Sequence, residues 1–351
     1  DNAFAGAGAV AVNYIGATTE ASISNPGGQK NQTADNNVTV TATDSSSIEA
    51  DAGSGALAIS TDSDAAAAVA AGAAVADNRI IRTTTAKLEN VRISSDGAIG
   101  KIAGDVDVSA SASGIINALT LGISGAVSTG ATVTAALAGS GSGNYITSDT
   151  TALIDPSLVY ASGNVTVFAS DSADIEAIAG AASFSLSVGG SGGDTSVGVG
   201  LGIALAINEI QNSALALIDD TTVDAGGNVS VTSVSDGSIN STAFGVAVGV
   251  TTSSGSGTSV TLNGAVAVTS NAIDNTTRAA IEDSASGTPN SVTAGGDVTV
   301  SASETGVINT NAVSVSASVT IGSGSGSSIS GNITTSIALN DINNTTEAVI
   351  D

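Results

Sequence analysis

Apolar and polar residues alternate along much of this chain. In the segment NVTVTATDSSSIEA, which begins at Asn37, Val38, Val40 and Ala42 are apolar and the residues between them are threonines. Side chains two positions apart lie on one face of a β-strand, so the alternation predicts a long strand with one apolar face. The enrichment in Val and Thr favours the same assignment. Five such blocks begin with Val and have Ile ten positions later: Val38 and Ile48, Val106 and Ile116, Val165 and Ile175, Val229 and Ile239, Val298 and Ile308.

The apolar positions change phase twice in each repeat. In one copy Ile175 is odd-numbered and Phe184, further along, is even-numbered; in the next, Ile207 is odd and Ile210 is even. A slip of one residue turns the side chains to the opposite face of a strand unless the backbone bends or bulges there. Each change of phase therefore predicts a corner. Asn208 lies at the second change, and Asn suits a bend because it tolerates left-handed backbone angles.

An asparagine marks an internal repeat along the whole chain. It is followed by Ile two positions on, by Ala eight positions on and by Ile or Leu ten positions on; the copies are Asn13, Asn78, Asn144, Asn208, Asn271 and Asn340. Their spacings are 65, 66, 64, 63 and 69 residues. A repeat of this length predicts a stacked array, in which each unit buries its apolar face against its neighbours.

The predicted fold is an all-β, elongated β-solenoid built from stacked repeats of about 65 residues. In it the six asparagines form a structural ladder at a corner, about 5 Å apart from coil to coil, because that is the spacing of neighbouring strands. The alternative is an antiparallel β-hairpin array, in which Gly/Ser loops such as GGSGGDTS, from Gly189, serve as hairpin turns.

A repeat that runs from end to end predicts a single elongated domain over residues 1–351. Residues 1–12 end a preceding repeat, and 340–351 begin a further one. The complete repeats are 13–77, 78–143, 144–207, 208–270 and 271–339. Because the chain opens in the middle of a repeat, we expect it to be a segment of a longer protein.

Composition narrows the classes of function. The chain has no Cys and no His, which excludes thiol chemistry and a Ser-His-Asp triad. Seven Lys and Arg against 32 Asp and Glu give a net charge of −25, which disfavours nucleic acid and anionic lipid as partners. No run of about 18 strongly apolar residues is present, so we expect no membrane insertion of this segment. We expect a protein that is not an enzyme and has no organic cofactor.

Two groups of charged residues are candidate sites. Oxygen-rich acidic turns suit a hard cation such as calcium; the candidates are Asp219, Asp220, Asp274, Glu282 and Asp283. The alternative is that these acids are solvated turn residues that keep the protein soluble. Four basic residues could form a patch near Asp77 and Glu89, or could be separate exposed charges: Arg79, Arg82, Lys87 and Arg92.

The segments AVAVNYIGATTEASI, AGGDVTVSASETGVINT and ALNDINNTTEAVID carry a resemblance that covers essentially the whole chain. They resemble the repeats of giant bacterial surface adhesins of the filamentous-haemagglutinin and leukotoxin-like filamentous adhesin type. The resemblance implies a secreted β-solenoid that forms a long surface fibre or stalk, and it supplies no catalytic motif. The copy at Asn208 departs from the pattern because it lacks the Thr-Thr pair.

The sequence therefore predicts a structural and adhesive segment of an extracellular or cell-surface fibre, which acts as a stiff spacer or cell-linking stalk. The alternative is a self-associating matrix or sheath filament, of the kind found in biofilms, in which calcium is a candidate bridge between copies. A carbohydrate-active β-helix enzyme is a remote alternative. The expected partners are other copies of the chain, neighbouring cell-surface polymers and divalent cations.

Overall fold

The computed structural model describes residues 2–28, 30–61, 67–95, 100–102, 104–130, 132–189, 195–254, 256–284, 291–323 and 325–351. These residues form three parallel sheets, which confirms the all-β solenoid. Sheet A contains β1 (Ala3–Ser24), β4 (Ala67–Glu89), β7 (Val133–Asp155), β10 (Ser196–Asp219), β13 (Ser259–Ile273), β14 (Thr276–Glu282), β17 (Ser328–Ile342) and β18 (Thr345–Ile350). Sheet B contains β2 (Lys30–Thr33), β5 (Val91–Ser94), β8 (Leu158–Ala161), β11 (Thr222–Ala225) and β15 (Ser291–Ala294). Sheet C contains β3 (Val38–Ser60), β6 (Val106–Thr129), β9 (Val165–Val188), β12 (Val229–Ser254) and β16 (Val298–Ser323).

Each sequence repeat corresponds to one coil. The chain passes along a long strand of sheet A, a short strand of sheet B and a long strand of sheet C, and then begins the next coil. Every strand pair among the described residues is parallel, so the antiparallel hairpin array is wrong. The loop GGSGGDTS, on which that alternative depended, lies partly outside the described residues. The register aligns equivalent positions, as in Asn78 opposite Asn144.

The corners predicted at the two changes of phase are wrong. In β10 the even-numbered side chains face inward along the whole strand, from Gly198 through Asn208 to Ile218. In β9 the odd-numbered side chains likewise stay buried past Ile175, and Phe184 points outward. What changes is the face that carries the aliphatic residues. Ile207 points outward and Ile210 points inward on the same straight strand. The change of phase therefore reflects a switch from large to small inward side chains, and the backbone keeps its direction.

The half of each coil next to sheet B is thick and has an ordinary aliphatic core. Leu88, Ile93, Val108 and their equivalents in other coils fill the space between the three sheets. A separate layer of isoleucines lies further along the long strands: Ile48, Ile80, Ile116, Ile146, Ile175, Ile210, Ile239 and Ile273. A polar layer that includes the buried Arg82 and Asp171 lies between the two clusters. We call this part of the coils the thick half.

The remaining half of each coil, beyond the asparagines, is a narrow slit between sheets A and C. Its inward side chains are Ala, Gly, Ser, Thr and Asn, as at Ala181, Ala204 and Ala243. A Cβ added to Gly202 would lie 2.4 Å from the backbone oxygen of Val246 in the opposite sheet, and one added to Gly122 would lie 2.0 Å from that of Gly139. The two backbones therefore approach too closely for larger residues. We call this part the thin half.

Backbone turns occur where the chain enters and leaves sheet B. Asn90 and Asp220, just after long strands of sheet A, have φ angles of 54° and 48°. Before sheet C, an Asn or Asp in each of the first four coils accepts a hydrogen bond from the backbone of the next coil; Asn228 N donates to Asn164 Oδ1 over 2.8 Å. The preceding residue is Gly, and a Cβ at Gly227 would meet that same Oδ1 at 2.4 Å. The AGGN and AGGD segments are thus the true corners.

The dimensions follow from ordinary strand geometry. At about 3.3 Å per residue, long strands of 22 to 26 residues extend roughly 75–85 Å. Six rows of sheet A at about 4.8 Å spacing extend only about 24 Å along the coil axis. The described coils therefore form a flat plate that is about three times wider than it is tall.

Candidate functional site

The six landmark asparagines form a column of hydrogen bonds that is buried at its four central members and open at Asn340. Each side-chain nitrogen donates to the side-chain oxygen of the next coil at 2.8 Å, from Asn13 through Asn78, Asn144, Asn208 and Asn271 to Asn340. Three of the amides make a second bond to a hydroxyl, such as the 3.0 Å bond from Asn208 Nδ2 to Ser241 Oγ. The four central asparagines are at most 2% exposed. A buried amide must be hydrogen-bonded to avoid a large desolvation penalty, and the register provides the partner.

The asparagines do not lie at corners. Asn208 is in the middle of β10, and Asn13, Asn78 and Asn144 are likewise within long strands of sheet A. Asn271 and Asn340 lie near the ends of β13 and β17, and the strand resumes in the same sheet as β14 and β18. They occupy the boundary between the isoleucine layer of the thick half and the Ala/Gly slit of the thin half. A polar side chain fits there because the ladder itself satisfies its donors and acceptors, so the fold needs no bend.

Carboxylates from two coils meet at the edge of sheet A where the chain turns towards sheet B. Asp155, Asp219 and Asp220 each offer an oxygen that lies within 4.8 Å of the others, and Asp219 and Asp220 are both 8% exposed. Ser284 donates to Asp219 from its backbone nitrogen over 3.0 Å and from its hydroxyl over 2.5 Å. Desolvation, followed by repulsion from Asp219, Asp220 and Glu89, raises the pKa of Asp155 to about 6.

The five calcium candidates do not form one site. Asp219 and Asp220 belong to the carboxylate cluster, which also contains Asp155. Glu282 is held by Arg278, whose Nη1 donates to Oε1 over 3.0 Å, and this hydrogen bonding lowers the pKa of Glu282. Asp274 is exposed in the break between β13 and β14, and Asp283 is exposed beyond β14. Calcium binding itself stays a prediction.

The basic residues near Asp77 and Glu89 form separate interactions instead of a patch. Arg79 bonds to Asp77 over 3.4 Å and lies over the Tyr145 ring at 4.9 Å. Lys87 pairs with Glu20 and Glu89 at 3.3 and 3.2 Å. Arg92 lies over the ring of Tyr160, and Arg82 points into the interior.

Arg82 and Asp171 form a fully buried ion pair in the thick half. Arg82 Nη2 donates to Asp171 Oδ1 over 3.1 Å, and its Nε donates to Ser148 Oγ over 2.8 Å. The hydroxyls of Ser148 and Thr150 donate to the other oxygen of Asp171. Burial raises the pKa of Asp171, while Arg82 and the hydroxyls oppose that shift. Gly114 leaves room for the guanidinium, because a Cβ there would lie 2.8 Å from Nη1.

The outer faces of the thin half are unusually apolar. On sheet A, the outward residues of β10 between Val197 and Ile207 are all Val, Leu or Ile, and the inward residues between them are Gly or Ala. Similar exposed residues occur on sheet C, including Leu57, Ile123 and Phe184. Large exposed apolar patches are typical of interaction surfaces. Among the described residues, these faces expose apolar side chains that contribute nothing to solubility in water.

Sequence reasoning did not find this surface, although a signal was present. The residues that alternate with the exposed aliphatics are nearly all small, as Gly198, Gly200 and Gly202 illustrate. Small residues on one face of a strand indicate a close backbone approach on that face, so the larger residues must point outward.

No protein-family model, curated protein or solved structure matches this chain. The resemblance to giant surface adhesins therefore stays a hypothesis. The described residues include no helix with the length and hydrophobicity required to cross a bilayer.

Proposed function

We propose that the chain is a structural segment of an extracellular or cell-surface assembly, and that it acts through its continuous sheets and broad faces. The observation that carries this proposal is the strict coil-to-coil register of both long sheets, together with the buried asparagine column. Every coil of sheet A contributes one asparagine to that column. Because these buried polar side chains form hydrogen bonds between successive coils, the fold suits a load-bearing role.

The geometry favours the matrix or sheath form of this role over a long spacer. One repeat of about 65 residues advances the array by only about 4.8 Å, the spacing of one strand. An α-helix of the same number of residues would advance roughly 98 Å at 1.5 Å per residue. The coils therefore extend the chain slowly along the axis and create a wide lateral surface instead. A wide lateral surface suits side-by-side contact with other molecules, as in a matrix or sheath.

An enzymatic role has less support. A β-helix lyase requires a free basic residue beside carboxylates, whereas Arg82 is sequestered in the interior and Lys87 lies between two glutamates. Lys101 is paired with Asp224 at 2.8 Å. The resemblance of the sequence repeats to those of surface adhesins and the absence of Cys and His also favour a structural role.

Single-molecule stretching tests the load-bearing role directly. Pulling the chain from its two ends should detach coils one after another, in steps of roughly 220 Å that correspond to one repeat at about 3.4 Å per residue. Extension of the whole chain in one event at low force would refute the proposal. As an independent arm, incubation with acidic polysaccharides should give no unsaturated products, and turnover would favour the enzyme.

A further inference from the structure

We propose that two copies of this chain associate face to face through the outer surface of the thin half of sheet A, which we call the A face. The A face is formed by the outward side chains of 3–12, 67–77, 133–143, 196–207, 259–270 and 328–339. The inference deepens the proposed structural function by naming its partner, a second copy, and the surface that binds it.

Every row of the A face carries large aliphatic side chains, and they are densest in β10, β13 and β17. Among the interior rows, Leu262 is 48% exposed, Val75 45% and Leu137 39%. The row of β10 adds Ile203 and Leu205, which are also exposed. These side chains cannot turn inward, because the slit behind them admits only small residues. Their exposure is therefore built into the fold, and only a partner can remove them from water.

Among the faces through which two copies could associate, charge favours the A face. The six segments of the A face contain a single charged residue, Asp77, and this residue is paired with Arg79. The rest of a chain with net charge −25 repels a second copy. The corresponding face of sheet C is less suitable, since a groove at its border is lined by Glu49, Asp51 and Glu176.

The relief of the A face is compatible with self-complementary packing. Leu137 and Leu201 form a ridge between two apolar grooves of about 270 and 310 Å³. Gly139 lines the first groove and Gly264 lines the second. A two-fold related copy can place its own ridge in such a groove, because an isologous contact uses the same patch on both partners.

The area of the A face is sufficient for a specific dimer. Ten residues along the strand and five strand spacings across it give roughly 33 Å by 24 Å, or about 800 Å² on each partner. Standard protein interfaces bury about this area on each side.

Sedimentation equilibrium of the 351-residue chain with and without a charge on the ridge tests the proposal. The native chain should show a concentration-dependent monomer–dimer equilibrium. Leu201→Lys should weaken the dimer at least tenfold, although it lowers the net negative charge and so reduces general repulsion. Phe184→Lys, the control on the outer face of sheet C, should leave the dimer unchanged. Circular dichroism checks that each variant keeps its sheets.

Cross-linking provides a second arm that does not depend on a disruptive variant. The chain has no cysteine, so Ile203→Cys with a short bis-maleimide should give covalent dimers and Phe184→Cys should not. The proposal is overturned if the native chain stays monomeric, if both cysteines cross-link equally, or if a chelator dissociates the dimer while Leu201→Lys has no effect. It is also overturned if a monomeric chain binds phosphatidylcholine vesicles through the A face. Stepwise stretching of single molecules needs no dimer, so a failure here leaves the load-bearing proposal intact.

Discussion

The narrow slit makes a sharp prediction about a single methyl group at Gly202. The substitution Gly202→Ala places a Cβ 2.4 Å from the backbone oxygen of Val246 and 3.2 Å from that of Ala181. Because comfortable contacts of carbon atoms begin near 3.5 Å, the two sheets must separate locally by about 1 Å. Backbone atoms of a hydrogen-bonded sheet cannot move aside as a flexible side chain does.

The magnitude can be isolated with a matched control. Gly55→Ala, in strand β3 of sheet C, adds the same methyl group on an outer face away from the A face, where no heavy atom lies within 4 Å. Both substitutions reduce the entropy of the unfolded chain by the same amount, about 0.4–1 kcal/mol. The difference between the two variants therefore reports overpacking alone, which costs about 1–3 kcal/mol. We expect Gly55→Ala to be neutral or slightly stabilising and Gly202→Ala to be clearly destabilising.

Two measurements check this difference. Urea unfolding followed by circular dichroism gives the midpoint of each variant, and native-state hydrogen exchange localises the effect. Stacked repeats lose coils separately, so the exchange rates of β10 and β12 should rise more than those of β3. Equal midpoints for the two variants would show that the sheets are not in backbone contact and would refute our account of the thin half.

Three further outcomes follow from the buried polar groups. Asn208→Leu breaks two rungs of the column and should cost about 1–3 kcal/mol in urea unfolding, whereas the exposed Asn240→Leu should cost little; equal losses would contradict a role for burial. Arg82→Met leaves the buried Asp171 without its cation and should cost about 3–5 kcal/mol, with part recovered in the double variant with Asp171→Asn; a double-mutant cycle without coupling would argue against the pair. The pKa of Asp155 is raised, so the folded state binds its proton more tightly than the unfolded state. This contribution to stability is complete below about pH 4 and is lost as the pH rises to about 6, and Asp155→Asn should flatten that part of the profile of thermal midpoint against pH.

The repeat and its register could be predicted from the sequence because they depend on local pattern. The Asn-x-Ile block keeps its internal spacing in six copies, and equivalent residues do pair across the coils, as Ile80 does with Ile146. Alternation also located the strands of sheet C correctly, since β9 begins at Val165.

Alternation alone could not show which face of each strand points into the interior. An aliphatic residue on an alternating strand normally points inward, and that assumption turned the change between Ile207 and Ile210 into a false corner. The deciding fact is the distance between sheets A and C, which depends on residues far apart in sequence, such as Gly202 and Val246. Likewise, Asp155 joins Asp219 only because consecutive coils stack, a relation that the single-repeat pattern does not display.

The asparagine column also gives the array a direction. All five of its bonds run the same way, with the nitrogen of one coil donating towards the next, so the amide dipoles add along the axis and polarise one another. The column offers an acceptor at Asn13 and a donor at Asn340. Any coil that extends the array beyond Asn340 must therefore present an acceptor at this position, and an inverted coil would set donor against donor. The column therefore favours growth head to tail over joining through two like ends.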